Sequence, residues 1–75
     1  MERYKDLDYD SNILTYELGG DFIKIGFADG SVYLYNYLST GSQRVEEMKK
    51  LAVMGEGLNS FICKHVRKNY ADKLV

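Results

Sequence analysis

The sequence predicts an α+β domain, a three-stranded antiparallel meander followed by two helices packed on one sheet face. Three observations point there. Gly19-Gly20 and Asp29-Gly30 each separate runs rich in β-branched and aromatic residues. Apolar positions recur at helical spacing from Val45 onward, and Gly55 and Gly57 divide that region in two. A chain of 75 residues, 45% hydrophobic and 28% charged, suits one globular domain that must use nearly every apolar face it has.

Taken in order, Met1 to Asp10 is acidic and lacks an apolar run, so 1–10 is expected to be a solvated arm and 11–75 the single domain. The strands are predicted at Ile13 to Leu18, Asp21 to Phe27 and Ser31 to Tyr37. Two-residue loops at Gly19-Gly20 and Asp29-Gly30 are expected between them and fix the register, because primed turns need positive φ. The second hairpin is expected to pair Phe27 with Val32, Gly26 with Tyr33 and Ile25 with Leu34. The first is expected to pair Tyr16 with Ile23 and Leu14 with Ile25. One face then collects Leu14, Tyr16, Leu18, Ile23, Ile25, Phe27, Val32 and Leu34. The other collects Thr15, Glu17, Phe22, Lys24, Gly26, Tyr33, Tyr35 and Tyr37, with Ile13 at its end.

Beyond the sheet, Thr40 and Gln43 have capping-box spacing. Val45, Met48 and Ala52 form a buried stripe with Leu51 beside it, and Glu46 and Lys50 form an outward i,i+4 pair. Gly55 stops this helix. The second helix follows Gly57, with Leu58, Phe61, Ile62, His65 and Val66 on its apolar stripe and Lys64, Arg67 and Lys68 on the far side.

Net charge is −1 but uneven. Seven carboxylates (Glu2, Asp6, Asp8, Asp10, Glu17, Asp21, Asp29) outweigh Arg3, Lys5 and Lys24 in residues 1–37. Seven cations (Arg44, Lys49, Lys50, Lys64, Arg67, Lys68, Lys73) outweigh Glu46, Glu47, Glu56 and Asp72 in the rest. The basic second half can face a polyanion, while the near-zero total argues against strong nonspecific nucleic-acid affinity. One cysteine, Cys63, permits no internal disulfide, so a reducing, cytoplasmic setting is expected. Nothing approaches the roughly 18 apolar residues of a membrane span.

Asp6, Asp8, Asp10 and Glu17 occupy positions 1, 3, 5 and 12 of a calcium-loop pattern. Position 6 is Ser11 instead of glycine, no entering helix fits before Asp6, and Gly19-Gly20 cuts off an exiting one. A solvated acidic arm is the preferred reading. On one helix Cys63 and His65 diverge by about 200°, so they form no Cys-His pair. His65 is expected to be buried or half-buried on the apolar stripe and Cys63 to flank the packing surface. Glu46-Glu47 has no apolar pocket to raise a pKa. No enzyme, no cofactor and no small-molecule substrate is expected.

Two surfaces can carry binding. Tyr33 and Tyr35, beside Lys24 on the face away from the core, can stack on unpaired bases. Against this, tyrosine is common in half-buried strands, and the C-terminal segment or a second subunit can cover the face. The basic stretch of Lys64, Arg67 and Lys68 can contact phosphate weakly, although basic residues at a helix end also complement its dipole.

Phe27-Ala28-Asp29-Gly30-Ser31-Val32-Tyr33-Leu34-Tyr35, a helix, then Ile62-Cys63-Lys64-His65-Val66-Arg67-Lys68-Asn69-Tyr70 resembles the KTSC domain family. That family is named for its occurrence at the C-terminus of some lysyl-tRNA synthetases. Phe27, Gly30, Tyr33 and Tyr35 match the first part of its pattern, and Val66, Arg67 and Tyr70 the second. Ser11-Asn12-Ile13 is also similar. Cys63 stands where the family often has asparagine, and Leu38-Ser39 replaces its usual Val-Pro. The resemblance implies a small, often free-standing domain with a nucleic-acid or tRNA-related role. The expected function is therefore a noncatalytic accessory module binding RNA or another nucleic acid, through Lys64, Arg67, Lys68, Tyr33, Tyr35 and Lys24. The alternative is a protein-interaction or homodimerisation module using the tyrosine-rich sheet face.

Overall fold

A computed structural model of the chain describes residues 1–7 and 12–75. Five strands, β1 (Glu2–Arg3), β2 (Ile13–Leu18), β3 (Phe22–Phe27), β4 (Val32–Asn36) and β5 (Asp72–Lys73), form an antiparallel sheet in chain order. Helices α1 (Tyr37–Thr40), α2 (Ser42–Met54) and α3 (Leu58–Phe61) follow β4, and α3 runs on as a π-helical turn over Ile62–Val66. The α+β class is as expected, but the sheet has five strands instead of three. The two additional strands are pairs of residues at the chain ends, too short to show period-2 alternation in the sequence. Glu2 and Arg3, expected in a solvated arm, lie opposite Tyr16 and Thr15. Tyr4 beyond them is 3% exposed, and its hydroxyl accepts the Leu58 amide at 3.3 Å.

The register differs from the expected one in an instructive way. The β2–β3 ladder sets Leu18 against Ile23 and Tyr16 against Ile25, with Gly20 and Asp21 as loop residues. That is a two-residue slip from expectation, and an even slip leaves every side chain on its face. The β3–β4 ladder sets Ile23 against Tyr35, Ile25 against Tyr33 and Gly26 against Val32. That is a one-residue slip, and it turns β4 over.

The turn itself causes this. The Phe27 carbonyl accepts Gly30 N–H at 3.0 Å, and Phe27 N–H donates to Ser31 at 2.8 Å, so the loop is Ala28-Asp29-Gly30. Such a loop ends in a residue of positive φ, which Gly30 supplies at +92°. The Asp29 carboxylate accepts from Ser31 N–H at 2.9 Å and Ser31 Oγ at 2.6 Å, which pins the turn. Tyr33 and Tyr35 therefore stand on the helix-covered side, and Val32 and Leu34 on the outer one. A β-bulge between Ile13 and Thr15 makes the same exchange in β2, burying Ile13 while Leu14 is 54% exposed.

The core lies between this sheet face and the helices: Tyr4, Ile13, Ile23, Ile25 and Tyr35 meet Val45, Met48, Ala52, Leu58, Ile62 and Val66. The α2 stripe is the expected one, and Gly55, with φ +83°, ends that helix. Capping differs. Asn36 caps α1 in a reciprocal box with Ser39, whereas Gly41 precedes α2 without a side-chain cap. Thr40 instead donates to the Asn69 carbonyl at 2.6 Å. Glu46 pairs with Lys49 at 2.8 Å, not with Lys50, and accepts from the Tyr37 hydroxyl at 2.6 Å. Lys49 also donates to the Gly20 carbonyl at 2.9 Å, with the Tyr37 hydroxyl oxygen 3.3 Å from the same carbonyl, which fastens the β2–β3 turn to α2.

Candidate nucleic-acid interface

The one-residue slip in β4 builds a groove. On the helix side of the sheet, beyond the end of the packed core, Phe27, Tyr33 and Tyr35 face the helical segment that carries Asn59, Ile62, Cys63 and Arg67. Tyr70 completes the aromatic wall. The groove is open to solvent and has a volume of about 560 Å³, within the usual range for sites that take a small molecule. Asn12, Ala28, Asp29 and Ser31 also line it, around the β3–β4 turn.

Its walls are held by edge-on ring contacts. Phe27 and Tyr33 centroids are 5.5 Å apart, Tyr33 and Tyr70 4.8 Å, and Tyr35 and Tyr70 6.4 Å. Lys73, opposite Tyr33 in β5, holds its ammonium 5.8 Å from the Tyr33 ring centre. The segment carrying Tyr70 is tied down on both sides, by the Thr40 bond to Asn69 and by Ala71 N–H donating to Leu34 at 2.7 Å. On the opposite wall, Asn59, Cys63 and Arg67 repeat at four-residue intervals and so share one side of the helical segment.

Electrostatically the groove has one acidic and one basic member. The Ser31 hydroxyl and amide hold the Asp29 carboxyl below its ordinary value, so it is ionised at neutral pH. Arg67 is cationic, and among the described residues it has no ion-pair partner. Burial, and then proximity to Tyr33, Tyr70 and Cys63, pushes the Tyr35 hydroxyl up to about 12. Tyr35 therefore keeps its proton.

The expected site residues divide. Tyr33, Tyr35 and Arg67 meet in the groove. Lys64 and Lys68 are exposed chain neighbours of Cys63 and Arg67 without lining it. Lys24 is on the outer sheet face, 3.6 Å from the Glu17 carboxylate and 5.7 Å from the Phe22 ring centre. The tyrosine-rich outer face does not exist, because the turn places Tyr33 and Tyr35 inward. His65, expected to be buried or half-buried, is exposed with its ring 4.9 Å from that of Phe61. Cys63 is exposed on the groove wall.

Asn12, Asn59 and Asp29 were not singled out as binding residues from sequence. The i, i+4, i+8 spacing of Asn59, Cys63 and Arg67 was the available signal. Asp8, Asp10 and Ser11 of the calcium pattern lie outside the described residues, and among the described ones no cluster of His, Cys, Asp or Glu could hold a metal ion. No helix among them is long and apolar enough to cross a membrane. Comparison with protein-family models, curated proteins and solved structures gives no match, so functional inference starts from this groove.

Proposed function

We propose that this chain is a noncatalytic accessory module that binds single-stranded RNA or a related nucleic acid weakly, seating one unpaired base in the aromatic groove. One observation carries the proposal. Two stretches far apart in sequence, Phe27 to Tyr35 and Asn59 to Tyr70, converge to put aromatic rings and the cation of Arg67 around one space. Unpaired bases are bound in this manner, by stacking on aromatic side chains with a cation nearby for phosphate. Lys64 and Lys68, exposed beside the groove wall, add to the positive potential where the strand would leave it.

Of the residues that matched the KTSC pattern, Phe27, Tyr33, Tyr35, Arg67 and Tyr70 line the groove, whereas Gly30 closes the β3–β4 turn and Val66 is packed in the core. Membership of that family, and with it a tRNA-related role in a cytoplasmic setting, belongs to the same proposal. The competing reading, a protein-interaction or homodimerisation module, relied on an outward tyrosine face. With Tyr33 and Tyr35 turned inward, that surface no longer supports it.

The test is a heteronuclear NMR titration with a short oligouridylate and a matching DNA strand at low and moderate salt. Shifts are expected at residues 27–35 and 59–70, fading as salt rises. Absence of any shift at near-millimolar oligonucleotide removes the proposal.

A further inference from the structure

The groove carries charge at two separate places, and each needs a counterpart on the ligand. Arg67 stands on the helical wall and Asp29 at the β3–β4 turn, and among the described residues they form no ion pair with each other. Arg67 suits a phosphate, whereas a carboxylate repels one. Asp29 must therefore meet a different part of a nucleotide. Its carboxylate is held in place, because Oδ1 accepts both the amide and the hydroxyl of Ser31, a residue that also lines the groove and is only 8% exposed. Both bonds use Oδ1, so Oδ2 keeps its acceptor sites for solvent or ligand.

We propose that the Asp29 carboxylate selects guanine in this groove, with Oδ2 accepting from the N1–H and the N2 amino group of the base while Arg67 meets the phosphate. The inference rests on the nucleic-acid reading of the groove and adds to it which base is preferred. Guanine carries two N–H donors side by side on its pairing edge. One carboxylate oxygen can accept from both, and hydrogen bonds to an ionised acceptor are roughly twice as strong as neutral ones. The other bases lack that pair. Uracil and thymine flank their ring N–H with carbonyls, and adenine and cytosine set a ring acceptor beside their amino group, so each turns lone pairs toward the carboxylate. They stack between the aromatic walls without this added contact.

The test titrates guanosine and inosine 5′-monophosphates into the wild-type chain and into Asp29→Asn, followed by NMR. Inosine differs from guanosine only in lacking the N2 amino group. The guanosine nucleotide is expected to bind the wild type about tenfold more tightly, the worth of one hydrogen bond to a charged group. Asp29→Asn keeps one oxygen for Ser31 and replaces the other with a neutral amide, so the difference between the two nucleotides is expected to vanish. Equal affinities in the wild type, or no binding of either nucleotide, overturn the inference whether or not the variant folds. The groove reading then stands or falls separately, on the shifts caused by oligouridylate. A tenfold difference that persists in Asp29→Asn also overturns the inference, by placing the N2 contact on another residue. If neither the nucleotides nor the oligonucleotides shift any groove resonance of the wild type, both proposals fall together.

Discussion

The Thr40 hydroxyl donates to the carbonyl of Asn69 at 2.6 Å, across 29 positions of sequence. Thr40 is 6% exposed, so the bond is sheltered from water. It joins the end of α1 to the segment that carries Tyr70, one residue further on, and so sets one wall of the groove.

Thr40→Val keeps the shape and removes the donor, leaving the Asn69 carbonyl without this partner. A loss of about 1–3 kcal/mol in stability is expected by urea denaturation, together with weaker oligonucleotide binding as Tyr70 loosens. Thr40→Ser restores both. A Thr40→Val chain with wild-type stability would show that the bond contributes nothing net.

At Gly30 nothing lies within 4 Å of where a Cβ would stand, so substitution there meets no clash and isolates the effect of φ at +92°. Gly30→Ala is expected to cost about 1–2 kcal/mol, and Gly30→Asn less, because asparagine tolerates left-handed backbone better. Equal stability of all three chains would remove the turn's role in setting the register.

Tyr35 governs an alkaline transition. Its hydroxyl titrates near the ordinary value of 10 when unfolded and at about 12 when folded. The raised folded value gives a stabilisation fully present below pH 10 and lost as pH rises toward 12. Solvent reaching the site through the groove keeps the loss below about 2–3 kcal/mol. Tyr35→Phe should flatten the alkaline limb of a stability-against-pH curve, and an unchanged limb would contradict the burial argument.

Asp29 acts at the other extreme. Its folded value lies below the ordinary 3.8 because Ser31 donates to it twice. The stabilisation is therefore present above the unfolded value and disappears as pH falls through the folded one. The stability difference between wild type and Asp29→Ala is expected to shrink on acidification below the ordinary carboxylate range. A difference that persists in strong acid would place the effect elsewhere.

Arg67 and Tyr70 separate charge from stacking. Arg67→Ala is expected to lower the slope of log K against log salt by about 0.7, the share of one phosphate on a single strand. Tyr70→Ala is expected to cost about 1–3 kcal/mol of affinity with the slope unchanged. Identical salt slopes for wild type and Arg67→Ala would exclude a phosphate contact at this residue.

By itself the sequence determined the α+β class, the strand-rich region, the α2 stripe of Val45, Met48 and Ala52, and the stop at Gly55. Each is a local pattern, set by side-chain period or by the conformational freedom of one residue. It also named Tyr33, Tyr35 and Arg67, but on the assumption that the tyrosines face away from the helices.

Only the tertiary structure decided which way β4 faces. The Asp29-Gly30 signal is compatible with more than one loop length, and a one-residue change exchanges the two faces of a strand. The bulge at Leu14 and the pairing of Glu2–Arg3 and Asp72–Lys73 depend likewise on partners distant in sequence. So does the groove, whose two walls come from segments brought together only when the helices close over the sheet. Local periodicity specifies which residues are apolar together, whereas the register of long-range pairing specifies what they face.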